Sequence, residues 1–583
     1  MNPLTDAVKL LQRAAWVEGE AVLRRVLVAD PDNAAVLNLL GVAVQQQGRR
    51  AEAVGYLGRA CALEPGKAEF HSNLAAVLVL EGDFVGAEVS AHRAIEIDPC
   101  RADALANLGT AQRRQGRPED AVASYRRAAA LRPDIASYRN NLGDLLLQLG
   151  RVEQAIPELR AVIAAAPDNL KARSDLIMTL CYSDAVGAAE LLEEASRFGE
   201  VASRRAMAQR IGAVQQHEAG APFRIGFVSG DLRHHAVAQF IEGVLDGLLR
   251  FGHELHAYVT RDAADEVTAR LQPRFAGWHP IFGLGNIEAA RQIASDGIHI
   301  LFDLSGHTGG NRLPLFAYRP APVAASWIGY SGTTGLPEMD YLLADRHVLP
   351  VGDEGFYSER PVRLAHSYLL FNPPSRAPQV PPLPALANGF VTFGSFNNLS
   401  KLSGSTIAAW ARLLQAVPGS RLVLKSPTLS SADARRLVDS RFAAHGIDPL
   451  RIDVLGRIAS VQQHLAAYAA IDIALDPFPY AGTTTTCEAL WMGRPVLSLK
   501  GTRFTARVGD SLLSTAGLGD WVAADLDGYV AAGVARASDI SGLDRLSRRL
   551  RAQVRASPLC ATDRFAADLD AALRRMWDER RPG

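Results

Sequence analysis

A chain of 583 residues in which 62 Lys and Arg balance 62 Asp and Glu carries a formal net charge of +0, which excludes a nucleic-acid partner recruited through bulk charge. Its composition, 48% hydrophobic and 21% charged, is that of a soluble protein of roughly three to four domains. The five cysteines, Cys61, Cys100, Cys181, Cys487 and Cys560, are too scattered for a disulfide framework or zinc-ligand spacing and predict a reducing, cytoplasmic setting; the opening MNPLTDAVKLLQRAAW lacks the basic-then-apolar order of a secretory leader, and no apolar run is long enough to span a membrane.

The front third is a repeat. Pro31, Pro65, Pro99, Pro133 and Pro167 recur at a constant step. Gly48, Gly82, Gly116 and Gly150 keep the same step, as do Ala53, Ala87, Ala121 and Ala155, and Gly41, Ala75, Gly109 and Gly143. Small residues where two helices touch, with proline closing each unit, form the tetratricopeptide signature. Clear units start near 34, 68, 102 and 136 after a degenerate one, which gives a repeat domain over 1–170 and a helical linker over 171–222. Stacked repeats build a superhelix whose concave side usually takes a polypeptide. Asn73, Asn107 and Asn141 occupy one position in three successive units. Their amides could hold an extended peptide backbone without reading its side chains, or they could bond the neighbouring helix.

From Phe223 short apolar runs alternate with helical stretches, as in parallel α/β sheets. Strands are predicted at 224–228, 298–304, 323–328 and 341–344. The proline-rich stretch NPPSRAPQVPPLPALANG, residues 372–389, then separates a first lobe, 223–378, from a second, 379–583, with strands at 390–395, 421–425, 451–455, 471–475 and 495–499 and helices at its end. Two Rossmann-like lobes place a cleft beyond the carboxyl ends of their strands. There the sequence puts Ser229 to His235, Ser305 to His307, Asn397 to Lys401, and Ala481 to Glu488.

The stretch LDPFPYAGTTTTCEALWMGRP, residues 475–495, turns a strand into a helix at four threonines. That junction exposes backbone N–H groups at the positive end of a helix and suits a phosphate; capping by a single threonine would explain one of the four. Lys401 can bring a positive charge to this loop, as a diphosphate leaving group requires. Glu488, read as first-turn, is placed to accept ribose hydroxyls or to pair with the helix dipole, and His464 to stack on a base. In the first lobe His234, His235 and His307 are candidate bases. Asp525-Leu526-Asp527 is read as surface, so no metal site is predicted.

These stretches resemble the O-GlcNAc transferase family, and most of all its SPINDLY branch of protein O-glycosyltransferases. The resemblance rests on RIGFVSGDLRHH, LSGHTGGNRL, RPAPVAASWIGYSGTTGLPEMDY, GFVTFGSFNNLSK, IDIALDPFPYAGTTTTCEALWMG and ARVGDSLL, and covers nearly the whole chain. It implies a tetratricopeptide superhelix followed by a GT-B fold. It also implies inverting transfer of a sugar from a nucleotide-diphosphate co-substrate to Ser or Thr of a protein, without an obligatory metal or other cofactor. By motif, His235 takes the place of the histidine proposed as base. Lys401 takes that of the lysine on the diphosphate, and Asn398 that of a nearby glutamine. Thr484 and Thr485, next to Gly482 and Thr483, match the phosphate-binding threonines. His464 matches the histidine packed on the base, and Glu488 stands where animal relatives carry a ribose-binding aspartate. The resemblance leaves UDP-GlcNAc and GDP-fucose open as donors. A glycan or lipid acceptor, a catalytically dead repeat scaffold, and a homodimer also remain open.

Overall fold

The computed structural model describes residues 3–212 and 215–580. Its front part is a series of helical hairpins: α1 (Pro3–Gln12) with α2 (Trp16–Ala29), α3 (Ala34–Gln46) with α4 (Arg50–Leu63), α5 (Ala68–Glu81) with α6 (Phe84–Ile97), and α7 (Ala102–Arg114) with α8 (Pro118–Leu131). α9 (Ala136–Gln148), α10 (Val152–Ala165), α11 (Leu170–Leu180) and α12 (Ala188–Ala206) follow. The recurring residues have distinct duties. Gly48, Gly82, Gly116 and Gly150 all turn with positive φ, 71° to 86°, where the first helix of each pair stops, a conformation glycine adopts without strain. At Gly41 a Cβ would sit 2.5 Å from Leu57 Cγ, so the small residue lets α3 and α4 approach.

The chain divides into two compact units, one of residues up to Leu146 with Ser430–Arg436, the other of Leu147–Leu429 with the remainder from Leu437 onward. The stretch read as a linker from 171 is therefore no linker. Phe198, Ala202 and Ala206 of α12 are buried in one core with Phe316, Leu336 and Met339 of the first lobe. At Gly199 a Cβ would fall 1.9 Å from the Gly335 carbonyl oxygen, so helix and loop meet backbone to backbone.

Two parallel sheets form the lobes. The first runs β3-β2-β1-β4-β5-β6-β7, with β1 (Arg224–Ser229), β2 (Glu254–Val259), β3 (Gly277–Pro280), β4 (Ile300–Asp303), β5 (Val323–Ser326), β6 (Tyr341–Asp345) and β7 (Arg360–Leu364). The second runs β10-β9-β8-β11-β12-β13, with β8 (Thr392–Ser395), β9 (Arg421–Lys425), β10 (Ile452–Leu455), β11 (Ile473–Leu475), β12 (Val496–Leu499) and β13 (Val522–Ala523). This is the two-lobed arrangement expected. The nine predicted strands are present, six of them shortened, β9 as predicted and β1 and β6 one residue longer; β2, β3, β7 and β13 were not foreseen.

The tail does not stay with the second lobe. Helix Thr562–Asp578 packs on helix Ala236–Arg250 of the first, where Gly247 leaves room for Ala566, 2.5 Å from the position of an added Cβ. His253 Nε2 donates to Asp570 at 2.9 Å, and the Tyr341 hydroxyl to the Met576 carbonyl at 3.1 Å. The ARVGDSLL stretch also bridges the lobes. Ser511 donates to Asp345 at 2.5 Å, Arg507 pairs with Asp353, and Asp510 lies 3.5 Å from His347. Among the described residues no helix is long and apolar enough to cross a membrane.

Candidate active site

The site assembles at the carboxyl ends of β8 and β11. Helix Thr484–Trp491 starts directly after β11 and its loop, with Thr483 at the cap position making no side-chain capping bond. The cap is open, so the N–H groups of the first turn, which have no intrahelical acceptors, remain available to a ligand. Thr485 Oγ1 instead donates to Asn397 Oδ1 at 3.0 Å, tying the helix to the end of β8. Gly482 is required by crowding: a Cβ there would lie 2.6 Å from Thr485 Oγ1, 2.7 Å from Thr486 Oγ1 and 2.9 Å from Asp476 Oδ1.

Lys401 reaches this loop as the sequence indicated. Its Nζ donates to the Ala481 carbonyl at 2.7 Å and lies 4.6 Å from the centre of the Tyr480 ring, which stacks on Tyr182 at 4.7 Å. Burial pushes the ammonium down to about 8, against the upward pull of Asp476. Asp476 is a residue that sequence reasoning missed. It directly follows β11 with 1% exposure, accepting the Gly482 N–H at 2.5 Å and the Ser498 hydroxyl at 2.7 Å. Burial raises it to about 6, opposed by those bonds and by Lys401. One carboxylate thus holds the threonine loop in place and faces the cation that serves it.

His464 and Glu488 are brought together. Nε2 of His464 donates to Glu488 Oε2 at 2.9 Å, with the Tyr468 hydroxyl 3.5 Å from the same oxygen and the Phe396 ring 6.0 Å from the imidazole. Glu488 is the fifth residue of its helix, beyond the first turn, so it serves a side-chain pair and not the helix dipole. Asn398 is exposed at the rim, while its neighbour Asn397 is buried and makes the contact to Thr485.

The first-lobe histidines separate. His307 is 2% exposed; Nδ1 meets Ser174 Oγ of α11 at 2.9 Å and Nε2 donates to the Thr334 carbonyl at 3.0 Å. With both nitrogens engaged and burial pushing it down to about 4, His307 anchors α11 to the lobe. The expectation of an additional base or acceptor site there is corrected. His235 is half-exposed and caps helix Ala236–Arg250, Nδ1 accepting the Val237 N–H at 3.3 Å. In that tautomer Nε2 carries the hydrogen and donates; to take a proton the ring must give up the cap. Burial lowers its pKa, Asp231 raises it, and Arg233 and Arg261 lower it further. His234 donates its backbone N–H to Asp265 at 2.7 Å. Asp525 caps helix Leu526–Ser538 through Gly528 N, and Asp527 pairs with Arg412 at the surface.

In the repeats, Asn73 Nδ2 donates to Asn38 Oδ1 of the preceding unit at 2.9 Å and Asn107 Nδ2 to the Ser72 carbonyl at 3.1 Å. The amide hydrogens of these two rungs bind neighbouring helices, the plainer of the two expectations, while Asn141 is half-buried.

Comparison with known proteins gives the family. The model of glycosyl transferase family 41 matches residues 208–373 and 383–569, and a tetratricopeptide repeat model matches 5–68 and 107–169. An Arabidopsis thaliana protein named probable UDP-N-acetylglucosamine–peptide N-acetylglucosaminyltransferase SPINDLY is 41% identical over 360 residues, 61% of this chain and 39% of that protein. The corresponding protein named SEC, also from Arabidopsis thaliana, is 29% identical over 383 residues, 62% of this chain and 39% of its own. The chain thus spans well under half the length of these curated relatives. A solved structure, a lysine-to-methionine variant of Thermobaculum terrenum O-GlcNAc transferase, aligns with a TM-score of 0.79 at 35% identity, covering 88% of this chain and 97% of that one. On the strength of the match across both lobes, this chain belongs to glycosyl transferase family 41.

Proposed function

We propose that this protein transfers N-acetylglucosamine from UDP-GlcNAc to serine or threonine hydroxyls of a protein, with inversion at the anomeric carbon. The observation that carries the reading is Lys401, an ammonium held on the Ala481 carbonyl beside an uncapped helix start. In the transfer the acceptor oxygen forms a bond to the anomeric carbon, the bond from that carbon to the diphosphate oxygen breaks, and the acceptor proton leaves to a base. The diphosphate gains charge as it departs. Lys401, the first-turn N–H groups, including that of Thr485, and the hydroxyls of Thr483 and Thr484 are donors placed to meet that charge without reorganising, which is where such groups contribute most; the Thr485 hydroxyl stays on Asn397. Glu488 and His464 take the ribose and base. His235 donates from Nε2 to an oxygen of donor or acceptor, and Asn398 closes the rim.

In the repeats, the side-chain oxygens of Asn73, Asn107 and Asn141 accept N–H groups of the polypeptide substrate. The sugar follows from the names of the relatives; the alternative donor is GDP-fucose. Thermal unfolding with UDP, UDP-GlcNAc, GDP and GDP-fucose tests the whole reading, because a ligand at about 100 times its Kd adds ~2.7 kcal/mol of stability. A shift with the uridine compounds, lost in Lys401→Ala, is expected. A shift with guanosine compounds alone would replace the sugar, and no shift with any of the four would remove the donor site.

A further inference from the structure

Three polar groups at the carboxyl edge of the second sheet have no partner, and two of them, on Lys425 and Ser426, have no part in the proposed chemistry. The first is Lys425, the last residue of β9. Parallel pairing sets Leu424 beside Ser395 of β8 and Lys425 beside Leu455 of β10. Lys425 is therefore level with Phe396, whose ring lies 6.0 Å from His464. Lys425 is half-buried, and among the described residues its ammonium takes part in no hydrogen bond or ion pair. The same His464 ring carries Glu488 on Nε2, so strand register and ring contacts bring Lys425, Phe396, His464 and Glu488 to one end of the sheet; burial lowers the Lys425 pKa and Glu488 opposes the shift. The second is Ser426, 1% exposed, whose backbone N–H bonds the end of β10 at 3.1 Å and whose hydroxyl is buried with no partner. The third is Nδ1 of His464, also buried and unpartnered, and an acceptor because Nε2 donates to Glu488.

Buried polar atoms without partners are uncommon in folded proteins and each needs a cause. All three follow if a polar ligand lies over the end of β8, within reach of Lys425, Ser426 and His464. The chemistry required is a ribonucleoside. Its hydroxyls meet the Glu488 carboxylate, its carbonyl or ring oxygens take hydrogens from Lys425 and Ser426, and the lone pair on His464 Nδ1 receives a base N–H.

We propose that Lys425, seconded by Ser426, is a donor-specificity residue that grips the nucleoside half of the nucleotide sugar beside Phe396 and His464. This rests on the donor-site reading given above and divides that site in two, a diphosphate end at Lys401 and a nucleoside end at Lys425. The full-length chain tests it by calorimetric titration with UDP, GDP and inorganic diphosphate. In Lys425→Met the Kd for the preferred nucleoside diphosphate should rise ~10-fold or more while that for inorganic diphosphate stays within twofold; Lys425→Arg should restore part of the loss. Lys401→Ala should weaken both ligands. Ser426→Ala, a smaller change in case the methionine disturbs the strand end, should weaken the nucleotide alone by a few-fold. A Lys425→Met protein that binds nucleotide as the natural one does, or that loses inorganic diphosphate equally, would overturn the assignment. If the natural protein binds no nucleotide, the donor-site reading itself fails, and this inference with it.

Discussion

Replacing Asp476 with asparagine should shift the alkaline limb of the pH–rate profile while the fold survives. An asparagine can keep the Gly482 N–H through its carbonyl and offer its amide to Ser498, whose hydroxyl can turn from donor to acceptor, so few hydrogen bonds are left unmade and the stability cost stays within ~1.5 kcal/mol. What is lost is the negative charge that supports Lys401. Two unit charges a few ångströms apart in protein-like surroundings attract by ~1–4 kcal/mol, and one pKa unit corresponds to about 1.4 kcal/mol. Taking the low end, Lys401 moves from about 8 to roughly 7, and its protonated fraction at pH 8 falls from about a half to about a tenth. If the ammonium meets the leaving diphosphate, transfer at pH 8 falls ~5-fold and recovers most of the way by pH 6.5. The acid limb that Asp476 contributes near its own value of about 6 disappears in the same variant. The assay is initial transfer rate from pH 5.5 to 9 at saturating donor, with urea melts to certify folding. An alkaline limb that superposes on that of the natural protein, or a loss of rate equal at every pH, would refute the reasoning.

Gly482→Ala should leave the protein folded but weaken nucleotide binding by more than 10-fold, because the added methyl displaces the threonine hydroxyls or Asp476; calorimetric titration with UDP checks it. His307 gives a signed pH effect on stability. Its folded pKa of about 4 lies below the unfolded value of ~6.5, so the folded state binds fewer protons between these limits. The stability present above ~6.5 is lost as pH falls, by ~3 kcal/mol at pH 4. Urea midpoints at pH 7.5, 6 and 5 should fall in the natural protein and fall less in His307→Gln. Gly247→Val should loosen helix Thr562–Asp578 from the first lobe, since the side chain collides with Ala566; overpacking of ~1–3 kcal/mol opens the tail about 5- to 150-fold more often, which limited proteolysis reads as faster cleavage near the carboxyl terminus.

The strands that could be read from the sequence are the ones buried on both faces, such as RIGFV in β1 and RLVLK in β9, because a continuous apolar run needs no partner to be recognised. Those that escaped are polar or short. β3 is GWHP and β7 is RPVRL, both at sheet edges where one side of the ladder is unpaired, and β2 carries Glu254 and His256 inside ELHAYV. The threonine loop and Lys401 were legible because glycine, a run of hydroxyls and a lysine after a strand are local patterns. Asp476 was not, since its role is to accept from Gly482 and from Ser498 on the next strand, and a turn-type Asp-Pro hides it. Asn397 and Asn398 differ only in which side of the backbone they leave at the end of β8, and the one facing inward is set by register. The two histidines show the same limit most sharply. His235 and His307 each follow a strand of the first lobe in a polar, glycine-containing segment, and nothing local distinguishes them. What does is α11, more than a hundred residues earlier than His307, whose Ser174 bonds one of its nitrogens. A helix that the sequence marks only as a weakening period thus determines which of the two histidines is spent on holding the lobe together.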